Sequence, residues 1–266
     1  MKTLNVIKIG GNVIDDESQL NDFIKSLAVL NEPFILVHGG GKLATDLATR
    51  LNIPQQLIEG RRVTDAETLK IATMVYAGYI NKNIVAKLQK HTLNSIGLSG
   101  ADGNLITATK RIDEKIDYGF VGDLSIENVN SNFLKLLLEN GLTPVICAIT
   151  HDNQGQLLNT NADTIASVLG SALATTFQVK LTYCFEKKGV LFNPEDNNSV
   201  IKNLNLETFQ KLKEEGIINK GMVPKIKNAF DALANGVEDV GITSAENFTN
   251  FIKNKTYEGT RITSSF

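Results

Sequence analysis

The sequence predicts an α/β fold, a three-layer α/β/α sandwich with a mainly parallel central sheet. Short segments that are apolar throughout, rather than at every second position, alternate along the chain with segments of helical spacing. Such strands are typical of parallel sheets that helices cover on both faces. Two of the strands end in glycine clusters, at Gly10-Gly11 and at Gly39-Gly40-Gly41. These clusters lie at the edge where open α/β sheets bind ligands.

The individual elements follow from local patterns, taken in chain order. Apolar and β-branched runs bounded by glycine, proline or polar residues predict strands. We expect strands over residues 4–9, 34–37, 95–98, 105–109, 144–149, 177–185 and 239–243. Apolar residues that recur every three or four positions predict helices. We expect helices over residues 20–27, 43–51, 66–90, 161–173 and 226–233.

The chain of 266 residues is predicted to form one domain, residues 1–266, with two lobes on a continuous sheet. A second set of strands and helices begins near residues 174–180, after the helix that ends near Leu173. We therefore divide the domain into an N-terminal lobe, residues 1–173, and a C-terminal lobe, residues 174–266.

Composition excludes several classes of function. The net charge is −2, 21% of the residues are charged, and no block of five Lys or Arg residues occurs, so neither a nucleic-acid nor a membrane partner is expected. No apolar stretch approaches the roughly 18 residues of a membrane span, and no signal peptide is apparent. Cys147 and Cys184 lie in apolar strands and are expected to be buried reduced thiols. The predicted location is the cytoplasm.

The two glycine loops have chemical and structural explanations. Consecutive glycines let backbone N–H groups converge on an anion, and the start of the next helix adds a favourable dipole. The alternative is a pair of tight turns that bind nothing. Three polar residues argue for a ligand. Lys8 interrupts an apolar strand, where a charge needs a partner, and Lys225 begins a helix, where cations are unfavourable. Asp163 also begins a helix, and helix capping remains open for it.

Common nucleotide and hydrolase motifs are missing. A Walker A motif would need glycine at position 36 and Ser or Thr at position 43, where the chain has Leu36 and Leu43, and no GxGxxG occurs at a strand–helix junction. The HGGG sequence also occurs in esterase oxyanion loops. A catalytic triad would need an acid and then a histidine well after Ser99, and the only later histidine is His151.

Seven short motifs occur in one order over nearly the whole chain. They are KIGGN at 8–12, VHGGGK at 37–42, GRRVTD at 60–65, GLSGADGNLI at 97–106, GFVGDL at 119–124, GQLLNTNAD at 155–163 and GMVPKI at 221–226. In this order the motifs resemble the amino acid kinase superfamily and, within it, the acetylglutamate kinase family. The resemblance implies an amino acid kinase-like fold in which the N-terminal lobe binds substrate and the C-terminal lobe binds nucleotide.

The resemblance also implies an activity. It is the ATP-dependent phosphorylation of the side-chain carboxylate of N-acetyl-L-glutamate, a step of arginine and ornithine biosynthesis, with Mg²⁺ accompanying ATP. Glutamate 5-kinase, aspartokinase, carbamate kinase and uridylate kinase share the nucleotide lobe, but the VHGGGK, GRRVTD and NTNAD motifs together favour the acylglutamate branch. A catalytically inactive small-molecule sensor on the same fold remains an alternative.

Residue roles are carried over from the resemblance position by position. Lys8 and Lys225 are expected to bind the transferring phosphoryl group, and Asp163 to orient the two lysines. The residues expected to hold the acylglutamate are Gly40, Gly41, Arg62 and Asn159, with Arg61 beside them. The residues expected to contact the nucleotide are Gly10, Gly11, Glu186 and Gly189. No protein ligand of the metal is predicted.

The chemistry supplies an independent reason for these residue types. A carboxylate is already deprotonated at neutral pH, so its attack on ATP needs no general base. The obstacle is charge, since two like unit charges about 4 Å apart repel by about 4 kcal/mol at an effective dielectric constant of about 20. Catalysis by positioning and by positive charge is therefore expected, which two lysines and two glycine loops supply.

Two departures from the family pattern bear on the site. Glu186 and Gly189 lie in FEKKGV, where the family has a sequence like TDVxGV, so Glu186 takes the place of the acid and Gly189 keeps the turn. Arg61 adds a positive charge beside Arg62, which would suit a dicarboxylic acyl group. N-succinylglutamate is therefore an alternative substrate. The first strand begins at Leu4, without the N-terminal helix of arginine-inhibited relatives, so we expect a homodimer that arginine does not inhibit.

Overall fold

One mainly parallel sheet forms the centre of the molecule. The computed structural model describes residues 1–58, 61–218, 221–254 and 256–264, without the side chain of Arg61. The strands are β1 Thr3–Ile9, β2 Phe34–His38, β3 Gln56–Ile58, β4 Arg61–Val63, β5 Ser95–Leu98, β6 Thr109–Lys110, β7 Gly122–Asp123, β8 Thr143–Cys147, β9 Ile149–His151, β10 Leu157–Asn159, β11 Gln178–Phe185, β12 Asn203–Leu204, β13 Asp239–Ser244 and β14 Thr260–Ile262. The helices are α1 Gly11–Asp15, α2 Glu17–Leu27, α3 Gly41–Arg50, α4 Ala66–Thr73, α5 Asn81–Lys90, α6 Ser131–Glu139, α7 Ala162–Leu173, α8 Leu206–Glu214, α9 Val223–Ala234 and α10 Ala245–Asn254.

Within the described residues, the central sheet has eight strands in the order β12-β14-β13-β11-β1-β2-β8-β5. The six strands from β13 to β5 are parallel to one another, whereas β14 is antiparallel to β13. The pairing of β1 with both β11 and β2 puts Lys8 beside Tyr183 on one side and Val37 on the other. Strands from before and after residue 174 thus share one sheet.

Helices cover both faces of this sheet. Helix α7 packs against β1, β2 and β11 and against α9, while α10 packs against β11, β13 and α2. The central strands are buried on both sides, with Val6, Ile7, Leu36, Leu181 and Val240 at most 1% exposed. Their uniform apolar character therefore comes from burial on both faces, and the predicted three-layer sandwich is confirmed.

The predicted helix over residues 66–90 is interrupted. Between α4 and α5, residues Met74–Ile80 form a π-helical segment. A π turn adds a residue to the helical repeat, which changes the direction of the side chains that follow. Here Tyr76 and Ile80 both pack against Gly40, at the end of β2. Helical spacing alone could not predict an interruption that depends on contact with a distant loop.

Three other predicted boundaries were wrong. The strand expected over 105–109 is absent except at β6, because the backbone N–H groups of Ile106, Thr107 and Ala108 donate to carbonyl groups of three separate segments. The strand expected over 144–149 is two strands, since Ala148 leaves the sheet and β9 pairs with β10. Helix α7 begins at Ala162, one residue after the predicted start at 161, and Asp163 is its second residue.

Two sequence features have simple outcomes. Cys147 and Cys184 are buried and are not joined in a disulfide, as their position in apolar strands predicted. None of the helices in the described part of the chain combines the length and apolar character that crossing a bilayer requires.

Candidate active site

Two cavities contain the predicted site residues, at the edge where β1, β2 and β11 end. The larger cavity has a volume of about 630 Å³ and the smaller cavity about 360 Å³. The predicted substrate residues that line the larger cavity are Gly40, Gly41, Arg62 and Asn159. The predicted catalytic and nucleotide residues that line the smaller cavity are Lys8, Gly10, Gly11, Glu186, Gly189 and Lys225. The two predicted groups therefore separate into two cavities.

One carboxylate holds both lysines. Nζ of Lys8 lies 2.6 Å from Oδ1 of Asp163, and Nζ of Lys225 lies 2.6 Å from Oδ2. The side chains of Lys8 and Asp163 are 7% and 5% exposed, whereas that of Lys225 is 28% exposed. Asp163 lies between Ala162 and Thr164, which line the larger cavity, while its lysine partners line the smaller one. The cluster of Lys8, Asp163 and Lys225 thus lies between the cavities.

Burial and charge act in opposite directions on this cluster. Burial by itself raises the pKa of Asp163, but the ammonium groups of Lys8 and Lys225 outweigh it and hold the pKa at about 2. Burial lowers the pKa of Lys8, an effect that Asp163 opposes and Lys225 strengthens. Asp163 is therefore ionised at neutral pH, and with both lysines protonated the cluster has a net charge of +1.

Helix geometry explains why Asp163 is available for the lysines. The N-cap of α7 is Asn161, whose side chain accepts hydrogen bonds from the backbone N–H groups of Asp163 at 2.8 Å and Thr164 at 3.1 Å. The sequence left open whether Asp163 caps this helix. Asn161 is the capping residue instead, so the carboxylate of Asp163 is free to bond to the lysines. Lys225 lies in the first turn of α9, after Pro224, where the helix dipole disfavours a cation. The bond to Asp163 offsets that cost.

The glycine loop after β2 is shaped by a close approach. Gly40 has a φ angle of 148°, and a Cβ at this position would lie 2.1 Å from Cδ1 of Ile80. Only glycine fits here, since the conformation and the space both exclude a side chain. The preceding His38 is fully buried; its Nδ1 lies 2.9 Å from the carbonyl oxygen of Gly39, and Nε2 lies 3.0 Å from Nδ2 of Asn81. His38 and Asn81 therefore fix the loop from inside the protein.

Arg62 presents a buried guanidinium to the larger cavity. Its Nη2 donates to the carbonyl oxygen of Gly41 and to Oγ1 of Thr45, both at 2.8 Å, and its Nη1 donates to Gln55. Within the described residues, no acidic side chain forms an ion pair with Arg62. A buried cation held only by neutral acceptors is suited to an anionic ligand.

Asn159 and Arg61 flank this position. Asn159 ends β10, and its Nδ2 donates to Oγ1 of Thr64 at 3.0 Å, so the amide is fixed beside the cavity. Arg61 belongs to β4, where its backbone pairs with Ile58. The side chain of Arg61 lies outside what the structure describes, so its predicted contact with substrate stays a prediction.

The loop after β1 differs from expectation in one detail. The backbone N–H of Gly10 donates to the carbonyl oxygen of Cys184 at 2.9 Å, so it is not available to a phosphate. Gly11 begins α1 in the smaller cavity wall, and Glu186 accepts a hydrogen bond from the side chain of Asn12. Gly189 is required by packing, because a Cβ there would lie 2.8 Å from Oγ1 of Thr260.

Comparison with known proteins identifies the family. The model of the amino acid kinase family matches residues 3–244. An acetylglutamate kinase of Cytophaga hutchinsonii is 52% identical over 263 residues, which are 98% of this chain and 99% of that protein. The chain belongs to the amino acid kinase family, among the acetylglutamate kinases. An acetylglutamate kinase of Bacteroides fragilis is 50% identical over 242 residues, which are 91% of this chain and 92% of that protein.

A solved structure extends the comparison to the fold of the amino acid kinase family. A protein of Streptococcus mutans UA159 matches with a TM-score of 0.79 at 27% identity, over 98% of this chain and 99% of that protein. Its agreement over the full length supports one amino acid kinase fold with a mainly parallel sheet and helices on both sides. The resemblance drawn from seven short motifs is therefore confirmed at the level of family and fold.

Some residues of this candidate site were missed from the sequence. Phe185 lies against both lysines in the smaller cavity, and Tyr76 lines the larger cavity from the π-helical segment. Asn228 and Asp231 reach the larger cavity from α9. Asn228 lies three positions after Lys225, so both residues are on one face of the helix. That spacing could have predicted Asn228 as a site residue. Phe185 and Tyr76 have no such indication, since each resembles an ordinary core aromatic.

Proposed function

We propose that the chain transfers the γ-phosphoryl group of ATP to the side-chain carboxylate of N-acetyl-L-glutamate, as a step of arginine biosynthesis. A carboxylate oxygen forms a bond to the γ-phosphorus, and the bond from that phosphorus to the β,γ-bridging oxygen breaks. The electron pair of the broken bond leaves on ADP, so the products are an acyl phosphate and ADP. No proton is transferred, and total charge is unchanged.

The observation that carries this proposal is the position of the Lys8–Asp163–Lys225 cluster between the two cavities. The acylglutamate is placed in the larger cavity and ATP in the smaller one, so that the reacting carboxylate and phosphate meet at the cluster. The net positive charge of the cluster offsets the repulsion between the two anions. That charge is fixed before substrate arrives, which is the arrangement that favours the transition state.

The substrate side of the proposal rests on Arg62. Both N–H groups of its Nη2 are engaged by Gly41 and Thr45, and Nη1 donates to Gln55, so the guanidinium offers its positive charge and its remaining N–H groups to the α-carboxylate of an acylated amino acid. Gly40 and Gly41 let that carboxylate approach the backbone, and the amide of Asn159 is a partner for the acyl-amide group.

Replacing Arg62 by lysine is expected to raise the KM for N-acetylglutamate by about 100-fold, since an ammonium cannot replace the bonds to Gly41, Thr45 and Gln55 and also donate to the carboxylate. The KM for ATP should stay unchanged because Arg62 lines only the larger cavity. Steady-state kinetics with each substrate varied in turn provides the measurement. Arg50→Lys, at the exposed end of α3, is the matched control. Equal changes in both KM values would contradict the assignment of Arg62.

The nucleotide side of the proposal rests on the smaller cavity. Its lining includes the two lysines of the cluster, Lys8 and Lys225. It also includes apolar side chains that suit the base of a nucleotide: Leu191, Pro194, Ile217 and Ile218. Gly10 and Gly11 adjoin the phosphates in this arrangement, with Glu186 and Gly189 nearer the nucleoside. Mg²⁺ enters with ATP and shields its phosphate charges. The described part of the chain contains no cluster of three His, Cys, Asp or Glu residues that could hold the ion, and phosphate and water oxygens would supply most of its ligands.

A substrate panel tests the proposed function. Purified protein with ATP and Mg²⁺ is given N-acetylglutamate, N-succinylglutamate or free glutamate, and hydroxylamine traps any acyl phosphate as a hydroxamate. The names of the relatives favour N-acetylglutamate, so we expect it to give the highest kcat/KM. Faster turnover of N-succinylglutamate, lost on Arg61→Leu, would instead assign the site to the longer acyl group. Absence of hydroxamate from every acid would contradict the kinase.

We also propose the assembly, lobe roles and location of the enzyme. Large apolar side chains are exposed on the neighbouring α3 and π-helical regions, including Leu51, Met74 and Tyr79, which supports a homodimer. Analytical ultracentrifugation should then give twice the chain mass of 29.0 kDa.

The proposed lobe roles follow the two cavities. Residues 1–173 form the substrate lobe and residues 174–266 the nucleotide lobe. The cytoplasm supplies ATP, and cell fractionation tests that location.

A further inference from the structure

The ring of Phe185 lies against both lysines of the cluster. Its centroid is 4.7 Å from Nζ of Lys8 and 4.1 Å from Nζ of Lys225. Both distances are within the roughly 6 Å over which a ring face attracts a cation. The ring also stacks on Tyr183, with the centroids 6.1 Å apart and the planes inclined by 2°. Phe185 is therefore held in place as part of the smaller cavity wall.

The two lysines need stabilisation beyond their shared carboxylate. Asp163 neutralises one of the two ammonium charges. Burial lowers the pKa of Lys8, Asp163 opposes that shift, and repulsion from Lys225 adds to it. Cys184, the other titratable group that affects Lys8, is neutral because burial raises the pKa of its thiol. Phe185 is the aromatic ring that contacts both ammonium groups.

The carboxylate nearest in sequence is engaged elsewhere. Glu186 follows Phe185 directly, and its Oε2 accepts a hydrogen bond from the side chain of Asn12. Within the described residues, Asp163 is the acid that forms ion pairs with the two lysines. A second carboxylate at this position would bring the cluster to zero net charge and would repel the phosphates. A ring face attracts both cations and leaves the net charge at +1.

We propose that Phe185 is a positioning residue for phosphoryl transfer, whose ring face holds the ammonium groups of Lys8 and Lys225 side by side while preserving their positive charge. The inference deepens the proposed function and rests on it. Tyr183, on which the ring of Phe185 stacks, bonds to the backbone of the third member of the cluster, because its hydroxyl donates to the carbonyl oxygen of Asp163 at 3.3 Å. Two stacked aromatic side chains of β11 thus contact all three members of the cluster.

The kinetic test compares Phe185→Leu with Phe185→Tyr. Loss of the ring should lower kcat by about tenfold, and Phe185→Tyr should retain most of the activity because it keeps the ring face. The KM for N-acetylglutamate should not change, since Phe185 does not line the larger cavity. The alkaline limb of the kcat profile should move to lower pH in Phe185→Leu. Phe251→Leu, which removes a half-buried ring of α10, is the control for packing.

A spectroscopic test does not depend on turnover. Protein labelled with ¹³C at lysine Cε is titrated by NMR, and Lys8 and Lys225 are assigned from Lys8→Met and Lys225→Met. In the wild type, ring currents should shift the Hε signals of both lysines upfield. Phe185→Leu should remove that shift and lower the pH midpoint of Lys8, whereas Phe185→Tyr should preserve both.

The two tests separate the possible failures. If the wild type forms no acyl phosphate, the proposed function fails, and the NMR titration still decides whether Phe185 holds the lysines. If the wild type is active but Phe185→Leu keeps its kcat, its alkaline limb and its lysine shifts, the role of Phe185 is overturned. Equal losses in Phe185→Leu and Phe185→Tyr, with normal lysine signals in both, would also overturn it and assign the ring to packing.

Discussion

Replacing Lys8 by methionine is expected to lower kcat by about 10³-fold, the range seen when one transition-state charge contact is removed from phosphoryl or acyl transfer. Methionine fills similar space, so the buried strand position should tolerate it. Asp163 then keeps one lysine, and the cluster falls from a net charge of +1 to 0. The attacking carboxylate and ATP lose the positive charge that offsets their repulsion. Hydroxamate formation under saturating substrates measures the effect.

Two comparisons make the result specific to Lys8. Lys180→Met removes an exposed lysine of the neighbouring strand β11 and should keep wild-type kcat. Circular dichroism and the melting temperature of Lys8→Met show whether its fold is intact. If a folded Lys8→Met enzyme retained more than about a tenth of the wild-type kcat, Lys8 would not contribute a transition-state contact of this kind.

Replacing Asp163 by asparagine is expected to lower both stability and activity. The change leaves two ammonium groups at a buried site without their carboxylate, and removing one partner of a buried ion pair costs about 3–5 kcal/mol. We expect kcat to fall by about 100-fold or more, because neither lysine is then held in position. Chemical denaturation at neutral pH measures the first effect, and the hydroxamate assay measures the second. Asp22→Asn, an exposed residue of α2, should change neither.

The pH dependence of this stability difference has a definite sign. The pKa of Asp163 is depressed from 3.8 to about 2 in the folded protein, so the folded state favours the ionised carboxylate. Its stabilisation is fully present above the unfolded pKa and is lost as pH falls through the folded pKa. The gap in free energy of unfolding between wild type and Asp163→Asn should thus narrow between about pH 4 and pH 2. A gap that stayed constant over this window would contradict the paired carboxylate.

The central part of the fold could be predicted because burial restricts its composition. Strands β1 and β2 are covered on both faces over most of their length, so their apolar runs differ clearly from the flanking glycine and polar residues. Burial also explains why a strand was wrongly predicted around Ile106. This segment is buried and apolar, yet its backbone groups bond to three separate segments, and apolar character does not determine the hydrogen-bond partner. The π-helical segment depends on contact with Gly40, which local sequence does not specify.

Site residues could be predicted where a charged side chain occurs at a position that is unfavourable for its charge. Lys8 in an apolar strand and Lys225 at a helix start both needed a partner, and the structure brings both to Asp163. Phe185 was missed because an aromatic residue at the end of a strand is ordinary. Its importance arises only from contact with Lys8 and Lys225, two lysines that are distant from it in the chain. The N–H of Gly10 is likewise engaged by Cys184, a contact that depends on strand register.

The most direct test of the proposed phosphoryl transfer follows the phosphorus atoms themselves. Purified protein is mixed with ATP, Mg²⁺ and N-acetyl-L-glutamate, and ³¹P NMR records the products over time. The proposal predicts an acyl phosphate signal that grows in step with ADP, at a rate that falls sharply in Lys8→Met and in Lys225→Met. Release of ADP with inorganic phosphate from the outset, or equal rates in wild type and both variants, would contradict transfer to the carboxylate by the lysine cluster.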